Sequence, residues 1–117
     1  MIRRATMADI AAINDWCGAD FTGFVADQIN VTLIEGEGCA MFAWRGPGIY
    51  EAHVNFKQRG KAAFETAHAM LGYMRDNHEV TMFWTAIPTT DRKAVMFVRR
   101  LGWKSRGVTI FPHGVCA

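Results

Sequence analysis

The change of hydrophobic period around residues 56–61 limits this chain's folding options more than any other feature. Over Ile49–Phe56 the sequence alternates: Tyr50, Ala52, Val54 and Phe56 fall on one side, and Glu51, His53 and Asn55 on the other. That is the two-residue period of a strand. Further on, Phe64, Ala67, Leu71 and Met74 recur at helical spacing, so Lys61 to about Asp76 is expected to be an amphipathic helix. Only Lys57-Gln58-Arg59-Gly60 separates the two patterns. A strand that feeds almost directly into a long helix calls for layers of helix on sheet, which excludes all-α and all-β architectures.

The remaining segments fill in that frame. Ile2 to Ala5 read as a short strand, and Ile10, Ile13 and Cys17 form one helical stripe. Thr6 is placed to cap that helix, with Asp9 completing a capping box and Gly18 ending it. Residues 19–29 have no clear period, and a short second helix is one reading. Val31-Thr32-Leu33-Ile34 is a strand that stops at Gly36-Glu37-Gly38. Cys39 to Arg45 is the next, with Ala40, Phe42 and Trp44 on one face, and Gly46-Pro47-Gly48 forms the following turn. Three antiparallel strands joined by tight turns are the simplest arrangement. Val80 to Ile87 reads as a strand stopped by Pro88, and Thr89 or Thr90 caps a helix over Asp91–Leu101 with Ala94, Phe97, Val98 and Leu101 as its buried stripe. Gly102 ends that helix, and Val108 to Phe111 make a last strand. The sum is one α/β (α+β) domain over residues 1–117, a mostly antiparallel central sheet flanked by helices.

Charge divides the chain. Residues 1–56 carry three Arg and Lys against seven Asp and Glu, whereas residues 57–106 carry ten against four. The basic second half suits an anionic ligand. No apolar run reaches the length of a membrane span, and Met1-Ile2-Arg3-Arg4 leads into no signal core, so a cytoplasmic protein without a membrane partner is expected. Three cysteines without C-x-x-C spacing indicate neither a disulfide framework nor a zinc ribbon. Cys17 and Cys39 read as buried small hydrophobes, and Trp44, Trp84 and Trp103 as core. His68, His78 and His113 have no metal-ligand spacing with a carboxylate, so no metal is expected. No RNP, zinc-finger or helix-turn-helix pattern accompanies the basic half, so nucleic acid is not an expected partner.

The junction itself offers chemistry. A helix start presents backbone N–H groups without internal partners and the positive end of the helix dipole. Gly60 permits close approach, Ala62 keeps the path open, and Lys57, Arg59 and Lys61 surround it, which suits a phosphate or pyrophosphate. The spacing is neither that of a Walker loop nor that of a Rossmann fingerprint.

Lys57-Gln58-Arg59-Gly60-Lys61-Ala62 resembles the [RQ]-x-x-G-x-[GA] loop of the GNAT superfamily of N-acetyltransferases, with Lys in the first place. The opening Ile2-Arg3-Arg4-Ala5-Thr6 with Asp9, and the segment from Ile87-Pro88 through Asp91-Arg92-Lys93-Ala94 and Phe97 to Leu101-Gly102-Trp103, are similar to other blocks of that family, and the element order is also the family's. The resemblance implies transfer of an acetyl group from acetyl-CoA directly to an amine, of a small molecule or of a protein N-terminus or lysine. It implies that Val54, Phe56, Lys57, Gln58, Arg59, Gly60, Lys61 and Ala62 hold the co-substrate, with Asp91, Lys93 and Phe97 also bordering it. Backbone donors near Phe56 would meet the thioester oxygen. Glu51 is then the expected base, its pKa raised by burial, with His53, about 7 Å along the strand, as the second candidate. Asp91 stands where the family often has Asn, and Val98 where it usually has the Tyr that protonates the departing thiolate, so the general acid has no assigned residue. Members of this family are commonly longer, so the last strand pair is expected to be short or completed by a partner, as in a homodimer. Short members that have lost chemistry occur in bacteriophage genomes, and a binding or structural module is the alternative that the resemblance leaves open.

Overall fold

A computed structural model describes residues 1–56, 60–88, 90–104, 109–111 and 114–116, the last two stretches as backbone strands. The chain forms two compact units, Met1–Trp84 and Thr85–Ala117. In the first, β1 (Arg3–Arg4) is followed by a 3₁₀ turn (Met7–Asp9), α1 (Ile10–Cys17), α2 (Thr22–Ala26), β2 (Val31–Glu35), β3 (Gly38–Gly46), β4 (Ile49–Phe56), α3 (Gly60–His78) and β5 (Met82–Trp84). In the second, α4 (Arg92–Arg100) precedes an antiparallel hairpin of β6 (Thr109–Phe111) and β7 (Gly114–Cys116).

The five strands of the first unit lie in chain order, β1-β2-β3-β4-β5, antiparallel except for the parallel pair β4–β5. This is the mixed, mostly antiparallel sheet that the alternating segments imply. Its pleat sorts the core into two faces. On one, Ile34, Cys39 and Met41 bury themselves with Ile13 of α1, flanked by Trp16, Phe21, Phe24 and Val25. On the other, Phe42 meets Phe83 of β5 at 5.7 Å between ring centroids, and Arg75 of α3 lies over that Phe83 ring. The α3 stripe is Ala63, Ala67, Met70, Leu71 and Met74, all buried, with Phe64 half-exposed at its edge.

Several boundaries differ from those the sequence implies, for local reasons. The stretch without a period contains α2. β5 holds three residues, Met82–Trp84, rather than the eight of Val80–Ile87, and its start is anchored by the Thr81 and Met82 N–H groups, which both donate to the Gly48 carbonyl at 2.8 and 3.1 Å. Helix α4 is capped by Asp91, whose carboxylate accepts from the Ala94 N–H at 3.1 Å, and Asp91 is therefore the cap and not a helical residue. Thr89 lies outside the described residues. β7 was not expected, since three residues carry no periodicity. Trp44 and Trp84 are each 37% exposed rather than core, and Cys17 is only partly buried.

The chain start is tied down electrostatically. Asp9 accepts the Thr6 N–H at 2.9 Å and a two-pronged contact from Arg3 at 2.8 and 2.7 Å. The Arg3 guanidinium and the Thr6 amide hold the Asp9 carboxyl down to about 2, against an ordinary 3.8. A depressed carboxyl stabilises the fold while ionised, so its contribution is complete above about pH 4 and is lost as pH falls through about 2. Arg3 is half exposed, so solvent screens the pair and keeps its contribution small. Asp9→Asn is accordingly expected to lower stability slightly at pH 7 and by less as pH falls toward 2, as urea titrations at the two pH values will read.

The turn between β3 and β4 fixes where β5 begins. Gly48 has φ +74, and a Cβ there would stand 2.7 Å from Thr81 Oγ1. Left-handed backbone and steric overlap together predict a loss of about 2 kcal/mol for Gly48→Ala, measured by denaturation. The double variant G48A/T81A should recover the steric part alone.

Candidate active site

β4 carries the residues the sequence singles out, and its neighbours decide what they can do. Its register with β3 runs from Ile49 to Phe56, whereas its parallel ladder with β5 ends at the Glu51–Trp84 pair. Beyond Glu51 the strand continues for five residues past its last pairing with β5. Glu51 and His53 share the face of Ala43 and Met41, their partners on β3, which is the face that α1 and α2 help cover.

The two side chains are closer than strand spacing suggests. Each leans toward the other, bringing His53 Nε2 within 2.5 Å of Glu51 Oε2. Arg45 takes the other oxygen, with Nε at 3.1 Å and Nη2 at 3.0 Å from Glu51 Oε1. Arg45 reaches it from a register irregularity between Trp44 and Gly46, at the end of β3. Both carboxylate oxygens are thereby occupied, and the Glu51 side chain is only 14% exposed while that of His53 is 49% exposed.

This overturns the expected electrostatics of Glu51. Burial is the largest single influence and does push its pKa up, but the hydrogen bonds from His53 and Arg45 and their positive charge outweigh it, leaving the carboxyl below its ordinary value. Glu51 is an ionised acceptor at neutral pH. An ionised carboxylate cannot donate, so the Nε2 position of His53 carries the proton and Nδ1 is the ring's acceptor. A titratable ring that is half exposed, oriented by a carboxylate that is itself held by a cation, has the form of a positioned general base.

The residues expected to hold a co-substrate are distributed as follows. Val54 is exposed on the Tyr50–Ala52 face of β4, and Phe56 is the strand's last residue. Lys57, Gln58 and Arg59 lie outside the described residues. Gly60 opens the 19-residue α3 with φ +62, and a Cβ there would meet nothing within 4 Å. Lys61 and Ala62 are exposed in the first turn, which contains no acidic residue. Lys61 pairs loosely with Glu65, at 3.7 Å on open surface. A first helical turn without acidic residues, opened by a left-handed glycine, fits an anionic group. Asp91, Lys93 and Phe97 belong to the second unit, Asp91 and Lys93 exposed and Phe97 half-buried. Val98 is likewise half-buried on α4.

His68 is exposed on α3, stacked on Phe64 at 6.3 Å, and His78 is that helix's last residue. His113 lies outside the described residues. Among the described residues no three His, Cys, Asp or Glu side chains converge as metal ligands, and no helix is long and apolar enough to cross a membrane. Arg45 is the site residue that sequence reading missed; its separation of six residues across a turn from Glu51 was the available signal.

A five-stranded sheet whose parallel ladder ends at Glu51, with helices packed on it and a long helix that starts at Gly60, is a mixed α/β fold. Solved structures specify it further. The chain superimposes on the spermidine N-acetyltransferase SpeG of Vibrio cholerae (an N152L mutant) with a TM-score of 0.84 at 10% identity, over 99% of this chain and 89% of that one. On the aminoglycoside acetyltransferase AAC(6')-Ib, in complex with coenzyme A and kanamycin, the TM-score is 0.74 at 16% identity, over 99% and 90% of the two chains. A further structure of that enzyme, with paromomycin and acetyl-CoA, gives 0.75 at 17% identity, over 100% and 89%. No family model and no curated protein sequence matches the chain. The fold is that of these N-acetyltransferase structures.

Proposed function

We propose that this protein is an N-acetyltransferase that moves an acetyl group from acetyl-CoA to a primary amine of a small molecule. The observation that carries this reading is the Arg45–Glu51–His53 chain of contacts from the end of β3 to β4, on a fold whose neighbours include acetyltransferases of spermidine and aminoglycosides. Val54, Phe56 and the segment Lys57–Ala62 would hold the co-substrate. When bound, acetyl-CoA supplies an activated thioester.

Within the chain, the division of labour differs from the one that resemblance alone implies. His53 Nδ1 takes a proton from the acceptor's ammonium, which frees the amine to attack, and Glu51 orients the ring and balances the imidazolium that results. Arg45 holds Glu51 in place as a positioning residue. No side chain here is assigned as the acid for the departing thiolate. A thiolate is a good enough leaving group at neutral pH to depart unprotonated, and Val98 at the family's tyrosine position accords with that route.

The test is release of free thiol from acetyl-CoA in the presence of a polyamine, an aminoglycoside and a lysine-containing peptide, alongside calorimetry with coenzyme A. Turnover with a small amine and none with the peptide is the expected result. A second reading, a protein of this fold that binds coenzyme A without turnover, is favoured by the apolar Val98. It predicts a calorimetric signal with no thiol release from any acceptor.

A further inference from the structure

Two thiols that the acetyl-transfer reading does not use meet beneath the helical layer. Cys17 is the last residue of α1 and Cys39 the second residue of β3, and their sulfurs lie 3.8 Å apart across a sequence separation of 22 residues. Both are free thiols in this structure. We propose that Cys17 and Cys39 form a reversible, oxidant-sensitive pair, in which a hydroperoxide joins α1 to β3 through a disulfide.

The geometry makes the step short. The sulfurs already touch, and closing them to bonding distance, about 2.05 Å, needs a movement of less than 2 Å. Cys17 can supply it because it stands at the helix end, one residue before Gly18, which is left-handed at φ 67 and meets nothing with a Cβ. Cys39 is fixed in the sheet, opposite Ile34 on β2 and Asn55 on β4.

The two thiols divide the chemistry by accessibility. Cys39 is fully buried, and burial beside Cys17 pushes its pKa well above the ordinary thiol range, so it neither ionises readily nor meets solvent oxidants. Cys17 is partly exposed and is the point of entry. Its thiolate attacks a peroxide oxygen, the O–O bond breaks, and Cys17 becomes a sulfenic acid as hydroxide leaves. Cys39 then attacks the Cys17 sulfur, and the displaced hydroxide leaves as water with the Cys39 proton. Overall two thiols lose two electrons and two protons, and one hydrogen peroxide becomes two waters. A dithiol reductant reverses the bond by exchange.

The link would pin the C-terminal turn of α1 to the row of side chains next to His53, since Cys39 faces Asn55 and Met41 faces His53. It is independent of whether acetyl transfer occurs, and it is tested without an activity assay. Wild-type protein is treated with hydrogen peroxide, blocked with N-ethylmaleimide and digested with trypsin. Residues 5–45 contain no Lys or Arg before Arg45, so both cysteines lie in one tryptic peptide. The expected product is that peptide two hydrogens lighter, unblocked, and held together when a glutamate-specific protease cuts after Glu35 or Glu37. Its melting temperature rises by several degrees and falls back with dithiothreitol. Cys116→Ser keeps both effects and Cys17→Ser abolishes both. Sulfinic or sulfonic acid on Cys17 with Cys39 unmodified, a link to Cys116, or no change under peroxide would each overturn the proposal.

Discussion

Replacing His53 by alanine is expected to lower kcat for acetyl transfer by about 100-fold or more, the usual worth of a positioned proton acceptor. The KM for acetyl-CoA should stay close to that of the parent, because the residues proposed to hold it lie farther along β4 and in α3. Glu51→Gln separates the two candidate bases. If Glu51 only orients the ring, its amide still fills the same space between Arg45 and His53, and the loss is smaller than that of His53→Ala. If Glu51 itself takes the proton, the order reverses. The lowered pKa of Glu51 argues for the first outcome: a carboxylate stabilised in its ionised form by hydrogen bonds from His53 and from the Arg45 guanidinium holds a proton poorly at neutral pH. Steady-state rates of thiol release against pH, for the two variants and the parent, decide between them.

The rank order also bears on what was legible in the sequence. Alternation over Ile49–Phe56 was enough to put Glu51 and His53 on one face, and the helical stripe after it was enough to place Ala67, Leu71 and Met74 in the core. Both are local patterns that a single element imposes on its own residues. What escaped depends on neighbours that no local pattern encodes. Arg45 reaches Glu51 from the register irregularity between Trp44 and Gly46, and the hydrogen bonds from His53 and Arg45 together reverse the sign of the pKa shift expected from burial alone. The approach of Cys17 to Cys39 is set by how α1 docks on the sheet. In each case a backbone or side-chain partner from another element won over intrinsic preference.

Phe42→Ala should do the opposite of His53→Ala, and the contrast tests whether the two faces of the sheet have separate jobs. Phe42 is 1% exposed at the middle of β3 and contacts Phe83 of β5, so truncation removes a large buried ring and leaves a cavity in close-packed surroundings. The expected cost is about 3–5 kcal/mol. Against a total stability of about 5–15 kcal/mol for a natural domain, that loss lowers the melting temperature by more than about 10 °C. Its neighbours in register, Val31 and Ala52, lie on the Phe42 face, one residue out of step with Met41 and His53. The cavity therefore opens on the α3 side, while the Glu51–His53 contact is on the other. At a temperature where the variant remains folded, kcat per folded molecule should stay within a few-fold of the parent, whereas His53→Ala should melt nearly as the parent does and turn over poorly. A large fall in kcat for folded Phe42→Ala would mean that the β4–β5 pairing, which Phe42 supports through Phe83, positions the reacting groups directly.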